Sequence, residues 1–238
     1  MAAYVAQLGN KLTDQTNFQI LQAYPEQLSS NDIFDGCAKI VVAEPFYEKL
    51  DEYPIIECLN FFYQIKGLKH RGLIADNAIT VPSMSRIMVT AIECFNLRQA
   101  HQHLNEECSN FSHAAIDKFR GNDVDLNLPV WQYNYRPLTD AFEVSKIVFG
   151  KTSIEHKGKV SKKFNATGIC HGFIVSVEHV NTLEETLSSL CDYKKQHVQL
   201  LTSPVKVGIT DVCRCLIEFD SNSEDFVFSG DVELGSRH

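Results

Sequence analysis

Glu44, Glu48, Asp51 and Glu52 cluster where an apolar run gives way to a polar loop, between Lys39 and Pro54. A carboxylate in such a place can take two parallel, charge-assisted hydrogen bonds from a guanidinium, which fixes orientation as well as position. Glu44 follows directly on the run Ile40-Val-Val-Ala43 and is the candidate binding and catalytic group. The competing reading is a set of solvated loop acids, and position alone leaves that open.

The flanking elements decide where such a carboxylate would stand. Ile40–Ala43 reads as a strand of a parallel sheet, apolar because both faces are covered. Pro54 suits the first turn of a helix. Ile55, Leu59, Phe62, Ile65 and Leu68 recur at helical spacing, so an amphipathic helix is predicted over 54–68, ending near Gly67 and Gly72. Ligands of open α/β sheets lie beyond the carboxyl ends of the strands, which is where Glu44 sits. Residues 1–12 are expected to close a helix and Phe18–Ala23 to form a short strand. Strand–helix–strand order predicts an α/β unit with a parallel sheet. Only two or three strands precede the change of texture, so the chain is expected to begin within a domain.

From residue 73 the pattern turns to β. Strands are predicted at Leu73–Ala75, Arg86–Glu93, Val130–Tyr135, Phe142–Phe149, Phe164–Val180, His197–Leu201, Val212–Phe219 and Phe226–Leu234. Ile169, Phe173, Val175 and Val177 alternate on one face, as do Cys213, Cys215, Ile217 and Phe219. Residues 97–119 carry apolar side chains three or four apart, a helical face with a break expected at 105–110. Residues 151–163 read as a polar, basic loop. Many antiparallel strands after an α/β half predict a barrel or sandwich.

Totals narrow the function. The 238 residues hold 22 Lys and Arg against 30 Asp and Glu, a net charge of −8. That excludes an ordinary nucleic-acid backbone binder, which needs a basic patch, and suits basic partners such as Arg-rich tails. No apolar run reaches membrane-spanning length, and the N-terminus lacks a signal-peptide pattern. The eight cysteines contain no CxxC and read as reduced thiols of a cytoplasmic or nuclear protein. His171 shares a strand line with Ile169 and Phe173 and reads as a packed core histidine. His101, His103 and Cys108 fit no zinc spacing, so no metal site is assigned. None of the twelve glycines forms even a GxG, so the nucleotide-cradling turn of a Rossmann-type sheet is missing.

Three stretches resemble the protein arginine methyltransferases. Ile40-Val-Val-Ala-Glu-Pro-Phe46 looks like the strand entering that family's double-glutamate loop. Arg86-Ile-Met-Val-Thr-Ala-Ile-Glu93 is similar to its first barrel strand. Lys195–Pro204 is similar to the segment after its Thr-His-Trp loop. Val130-Trp-Gln-Tyr133 and the segment around Phe142 are most similar to the second module of a two-module member.

The resemblance implies a Rossmann-like methyltransferase portion over 1–72, truncated at its start. A β-barrel over 73–234 would follow, with a helical dimerisation arm at 97–119. It also implies methyl transfer from S-adenosylmethionine to arginine in the full enzyme. Glu44 matches the first of the two substrate-gripping glutamates, but Tyr53 stands in the second place, with Glu52 one step out of register. Asp192-Tyr193-Lys194 replaces the Thr-His-Trp triplet. The expectation is therefore a degenerate module that binds no cofactor itself, with Glu44 vestigial. It would serve as pseudo-dimer partner of an N-terminal catalytic module acting on Arg-rich proteins. The alternative from another class is a stand-alone binder of Arg-rich proteins that uses the 44–52 loop.

Overall fold

The computed structural model describes residues 21, 23–33, 37–43, 54–101, 125–151, 157–180, 186–188, 195–220 and 225–235. The expected helix over 1–12, the Phe18–Ala23 strand for the most part and the 102–119 part of the arm lie outside these residues.

Strand β1 (Ala38–Val42) and strand β2 (Ile74–Val81) pair in parallel and are joined through helix α1 (Pro54–His70). Helix α1 buries Ile55, Cys58, Leu59, Phe61, Phe62, Ile65 and Leu68, so its expected apolar face is real and wide. The stop is Gly72 rather than Gly67. Gly72 has a φ of 72°, the left-handed conformation that glycine adopts without penalty. Its N–H donates to the Lys69 carbonyl at 2.9 Å, and that of Leu73 to the Leu68 carbonyl at 3.0 Å. This double closure is a Schellman ending.

Gly67 lies inside the helix, exposed, and a Cβ there would meet nothing within 4 Å. Gly67→Ala is therefore expected to raise stability by about 1 kcal/mol, the helix-propensity difference. Denaturant unfolding checks it, and a lower midpoint would show that the backbone needs this glycine.

The β half forms two antiparallel sheets. In the larger, β3 (Met84–Glu93) lies beside β8 (Gly168–Val180) over nine paired positions. Beyond β8 come β10 (Gln196–Val207) and β4 (Asp125–Leu128), while β9 (Thr186–Ser188) pairs with one end of β8. The other edge of β3 pairs with β6 (Phe142–Val148) and, at its far end, β5 (Arg136–Pro137). In the smaller sheet β11 (Val212–Asp220) lies between β12 (Asp225–Glu233) and β7 (Lys157–Lys163).

Ile87, Val89, Phe173, Val175, Cys213, Cys215, Ile217 and Phe228 draw the two sheets onto one core, which α1 extends. Among the described residues the strand pairings do not close a barrel. A second, smaller core gathers Ile92, Leu97, Val130, Ile174, Val198 and Leu200. It lies under helix α2 (Phe95–His101), the described start of the predicted arm. Arg98 fastens α2 to β10, its guanidinium donating to the carbonyls of Leu201 at 2.8 Å and Thr202 at 2.9 Å. These carbonyls lie where the β10 register shifts between Leu200 and Val205.

Three expectations are corrected. The basic segment predicted as a loop over 151–163 contains β7, fully paired with β11. Lysines conceal its period of two, with Lys157, Lys159 and Lys163 exposed and Gly158, Val160 and Lys162 half-buried. A Cβ on Gly158 would come within 2.1 Å of the Val144 carbonyl oxygen, so its glycine marks a close crossing of β6 and not a turn.

Val130–Tyr135 is not a strand. Val130–Gln132 makes a single helical turn after Pro129, with Val130 buried in the second core, and the strand comes earlier, as β4. Finally, the Ile169–Phe173 alternation breaks. Ile169 is 44% exposed, and Cys170 joins Phe173 in the main core. Strict alternation cannot hold positions three apart on one face. The break falls beside Gly172, where a Cβ would lie 2.2 Å from the Gln199 carbonyl oxygen of β10.

Candidate functional site

The route to the predicted site is well defined up to Ala43, whose N–H donates to the Val81 carbonyl at 2.9 Å. That bond extends the parallel pairing to the carboxyl end of β1. Glu44, Glu48, Asp51, Glu52 and Tyr53 lie outside the described residues, as do Asp192, Tyr193 and Lys194. The structure resumes at Pro54, the first residue of α1.

His171 is buried, 4% exposed, and its Nδ1 accepts the Cys94 N–H at 3.1 Å. Burial holds this imidazole below its ordinary pKa; Glu93 opposes the shift and Arg98 reinforces it. Its reading as a core histidine agrees with this packing, although it faces the second core beside Cys94 rather than sharing the Phe173 line. Cys213 and Cys215 are likewise buried. Their mutual hydrogen bond holds the Cys213 thiol below its usual pKa and, together with burial, drives Cys215 up. His101 is described, while His103 and Cys108 are not. Among the described residues no three metal-ligating side chains converge. Cys37, Cys58, Cys94, Cys170, Cys213 and Cys215 are all free thiols.

Two polar clusters were invisible in the sequence. At the end of β3, Glu93 receives Arg136 in a forked contact, and its second oxygen accepts the Ile169 N–H at 3.1 Å. Arg136 also donates to the Thr167 carbonyl at 2.9 Å. A Cβ on Gly168 would stand 2.4 Å from the Arg136 guanidinium, so the neighbouring glycine leaves room for the pair. Burial raises the Glu93 pKa, but the Arg136 and Ile169 hydrogen bonds outweigh it and hold the carboxyl below its usual range.

The other cluster lies between α1, β3 and β8. Ser85 Oγ is 2.5 Å from His179 Nδ1, and Ser85 also neighbours the Cys58 thiol. Burial pushes Cys58 up to about 12 and His179 down to about 4. The neutral imidazole then accepts the Ser85 hydroxyl proton, with Nδ1 assigned as the acceptor. The partners are as much as 94 positions apart, so no local spacing could reveal them. Both clusters brace the sheet: the first is a half-exposed ion pair, the second is sealed from solvent, and neither leaves an atom poised for chemistry.

A methyl-donor cofactor would need a strand-to-helix turn with room for a nucleotide. The positive-φ glycines among the described residues are Gly72 and Gly150. Gly72 follows a helix and Gly150 follows β6, so neither opens a helix after a parallel strand. Among the described residues no positive-φ glycine supplies such a turn.

The fold is similar to that of a solved protein arginine methyltransferase. A chain of the Trypanosoma brucei PRMT1 enzyme–prozyme heterotetrameric complex with AdoHcy superposes on it with a TM-score of 0.72. That match covers 99% of this chain and 74% of the other at 13% identity. The resemblance extends to sequence, and there the similar proteins are named protein arginine N-methyltransferase 7. The Oryza sativa (japonica) protein is 25% identical over 249 aligned positions, covering 96% of this chain. The Drosophila simulans protein is 24% identical over 144 positions, 58% of the chain. The chain spans about a third of the rice protein's length, 34%. No protein-family profile matches it.

Proposed function

We infer that this chain is the C-terminal module of an S-adenosylmethionine-dependent protein arginine N-methyltransferase. In this reading it is non-catalytic and acts as pseudo-dimer partner of an N-terminal catalytic module. The carrying observation is the coverage: 96% of the chain aligns to 34% of the rice relative, as expected of one module of a longer enzyme. Residues 1–72 then form the Rossmann-like portion and 73–234 the barrel-type β domain, with 97–119 as the arm. The cofactor and the Arg-rich substrates belong to the full enzyme, in the cytoplasm or nucleus, and Glu44 is a vestige of the guanidinium grip. No membrane or nucleic-acid contact is part of this reading, and no helix among the described residues is long and apolar enough to cross a membrane.

The parallel pair supports it. Ile40 (60% exposed) and Ile79 (51%) are direct partners across β1 and β2, and Val42 (73%) lies on the same face of β1. Parallel strands are almost always covered on both faces, yet among the described residues α1 and the main core cover only one. A bare apolar face of this kind suits further α/β structure supplied by the rest of an enzyme.

Co-expression with the N-terminal module of the same enzyme tests the proposal. The expected result is a stable complex whose arginine methylation exceeds that of the N-terminal module alone by at least roughly tenfold, equivalent to about 1.4 kcal/mol of barrier. No co-elution and no gain in activity would refute it.

A further inference from the structure

The basic strand β7 has no part in the module reading. Side chains alternate across a strand, so Lys157, Lys159, Ser161 and Lys163 share one face, and all four are exposed. In the register with β11, Ser161 stands directly opposite Arg214, with Lys159 opposite Leu216 and Lys163 opposite Val212. Ser161 is therefore the centre of a cross. A lysine stands about 6.6 Å away on either side along its own strand, and Arg214 lies about 5 Å away across the ladder at the level of Cβ.

The charges around this hydroxyl do not cancel. Lys157 pairs with Glu218, and Arg214 with Glu233. Lys159 and Lys163 have no carboxylate partner among the described residues, and the Ser161 hydroxyl has no hydrogen-bond partner there. The acids of β12 lie two strands from β7, about 10 Å away, beyond the screening length of about 8 Å at physiological salt. What remains is two uncompensated positive charges, a hydroxyl, and an arginine whose five donors one carboxylate does not exhaust. Lysines on an edge strand also deter edge-to-edge pairing, and β7 is an edge of its sheet. That role needs charge alone, without a hydroxyl between the lysines or an arginine opposite it.

A phosphate monoester brings close to two negative charges and three acceptor oxygens, which matches the charge and the donors together. The setting selects its source. No aromatic side chain projects from this face of β7 and β11, whereas single-stranded nucleic acid needs rings on which its bases stack. The net charge of −8 opposes a long polyanion or an anionic membrane. Val212 and Leu216, half-buried on either side of Arg214, offer apolar contacts that a peptide can use and a free ion cannot.

We propose that the outer face of β7 and β11 docks a segment of a partner protein that carries a phosphorylated serine or threonine. Lys159 and Lys163 neutralise its phosphate, while Arg214 and the Ser161 hydroxyl donate hydrogen bonds to it. Apolar neighbours of the phosphorylated residue cover Val212 and Leu216. The contact is non-covalent and independent of the module reading.

The test is fluorescence anisotropy of the full chain with labelled peptides that differ only at a central phosphoserine, serine or glutamate, flanked by valine and leucine. The phosphoserine peptide is expected to bind, and the other two at least about tenfold more weakly. Lys159→Gln/Lys163→Gln should lower affinity by at least about tenfold and flatten its salt dependence, and Lys159→Arg/Lys163→Arg should retain it. Ser161→Ala should weaken binding by a smaller factor. Lys66→Gln, the same charge change at an exposed site on α1, should leave it unchanged. Absence of phosphopeptide binding would overturn the proposal and leave the lysines as edge guards. Equal binding of the glutamate peptide, or binding unchanged in Lys159→Gln/Lys163→Gln, would overturn it too. So would displacement of the peptide by inorganic phosphate at a concentration equal to the peptide's own Kd, since the segment would then contribute nothing.

Discussion

Phe173→Ala is expected to destabilise the protein by about 3–5 kcal/mol, the usual cost of emptying a buried aromatic site. Phe173 is fully buried near the middle of β8, and its ring reaches from the larger sheet to the smaller one. There it meets Phe228 edge-on, with ring centroids 6.2 Å apart. It also lies over Gly230, where a Cβ would come within 2.4 Å of the ring. Loss of the ring opens a void between two sheets whose backbones cannot close on it, because interiors are close-packed and relax only in part. An ordinary domain has about 5–15 kcal/mol in hand, so the variant should unfold at a much lower denaturant concentration. Phe173→Leu should retain most of the lost stability. A loss below about 1 kcal/mol for Phe173→Ala would mean that the ring does not join the sheets.

The second large effect is acid sensitivity through His179. In the unfolded chain this imidazole titrates near its ordinary 6.5, whereas in the fold burial lowers it to about 4. Between those values the unfolded chain binds the proton and the folded chain does not, so acid favours unfolding. The contribution is complete above about pH 6.5 and is lost progressively as the pH falls toward about 4. At about 1.4 kcal/mol per pKa unit the total is about 3 kcal/mol. His171, also held below its ordinary value by burial, acts in the same direction. Unfolding free energies measured from pH 7 to pH 4 should show this slope, and His179→Gln should flatten it. An unchanged slope in that variant would assign the acid effect to other groups.

Much of the architecture is legible in the sequence, where a pattern reports burial directly. The helical spacing from Ile55 to Leu68 gives α1, and the alternation of Cys213, Cys215 and Ile217 gives β11, because each face meets a single environment throughout its length. The order of motifs was sufficient to identify the methyltransferase resemblance. The candidate carboxylate Glu44 is a product of sequence reasoning alone, since the described structure ends one residue before it.

Tertiary structure decided what depends on contacts between distant segments. Lys157–Lys163 is a strand because β11 pairs with it, although its lysines show no hydrophobic period. Gly158, Gly172 and Gly230 look like turn or breaker residues, yet each marks a place where another strand or ring comes too close for a Cβ. The Ser85–His179 contact beside Cys58 and the Glu93–Arg136 pair bring together residues with no local relation. Arg71 of α1 likewise donates to the carbonyls of Pro25, Glu26 and Leu28, 43 to 46 positions away. Periodicity records the average environment of a face, but a close approach is a property of two segments and is written in neither of them alone.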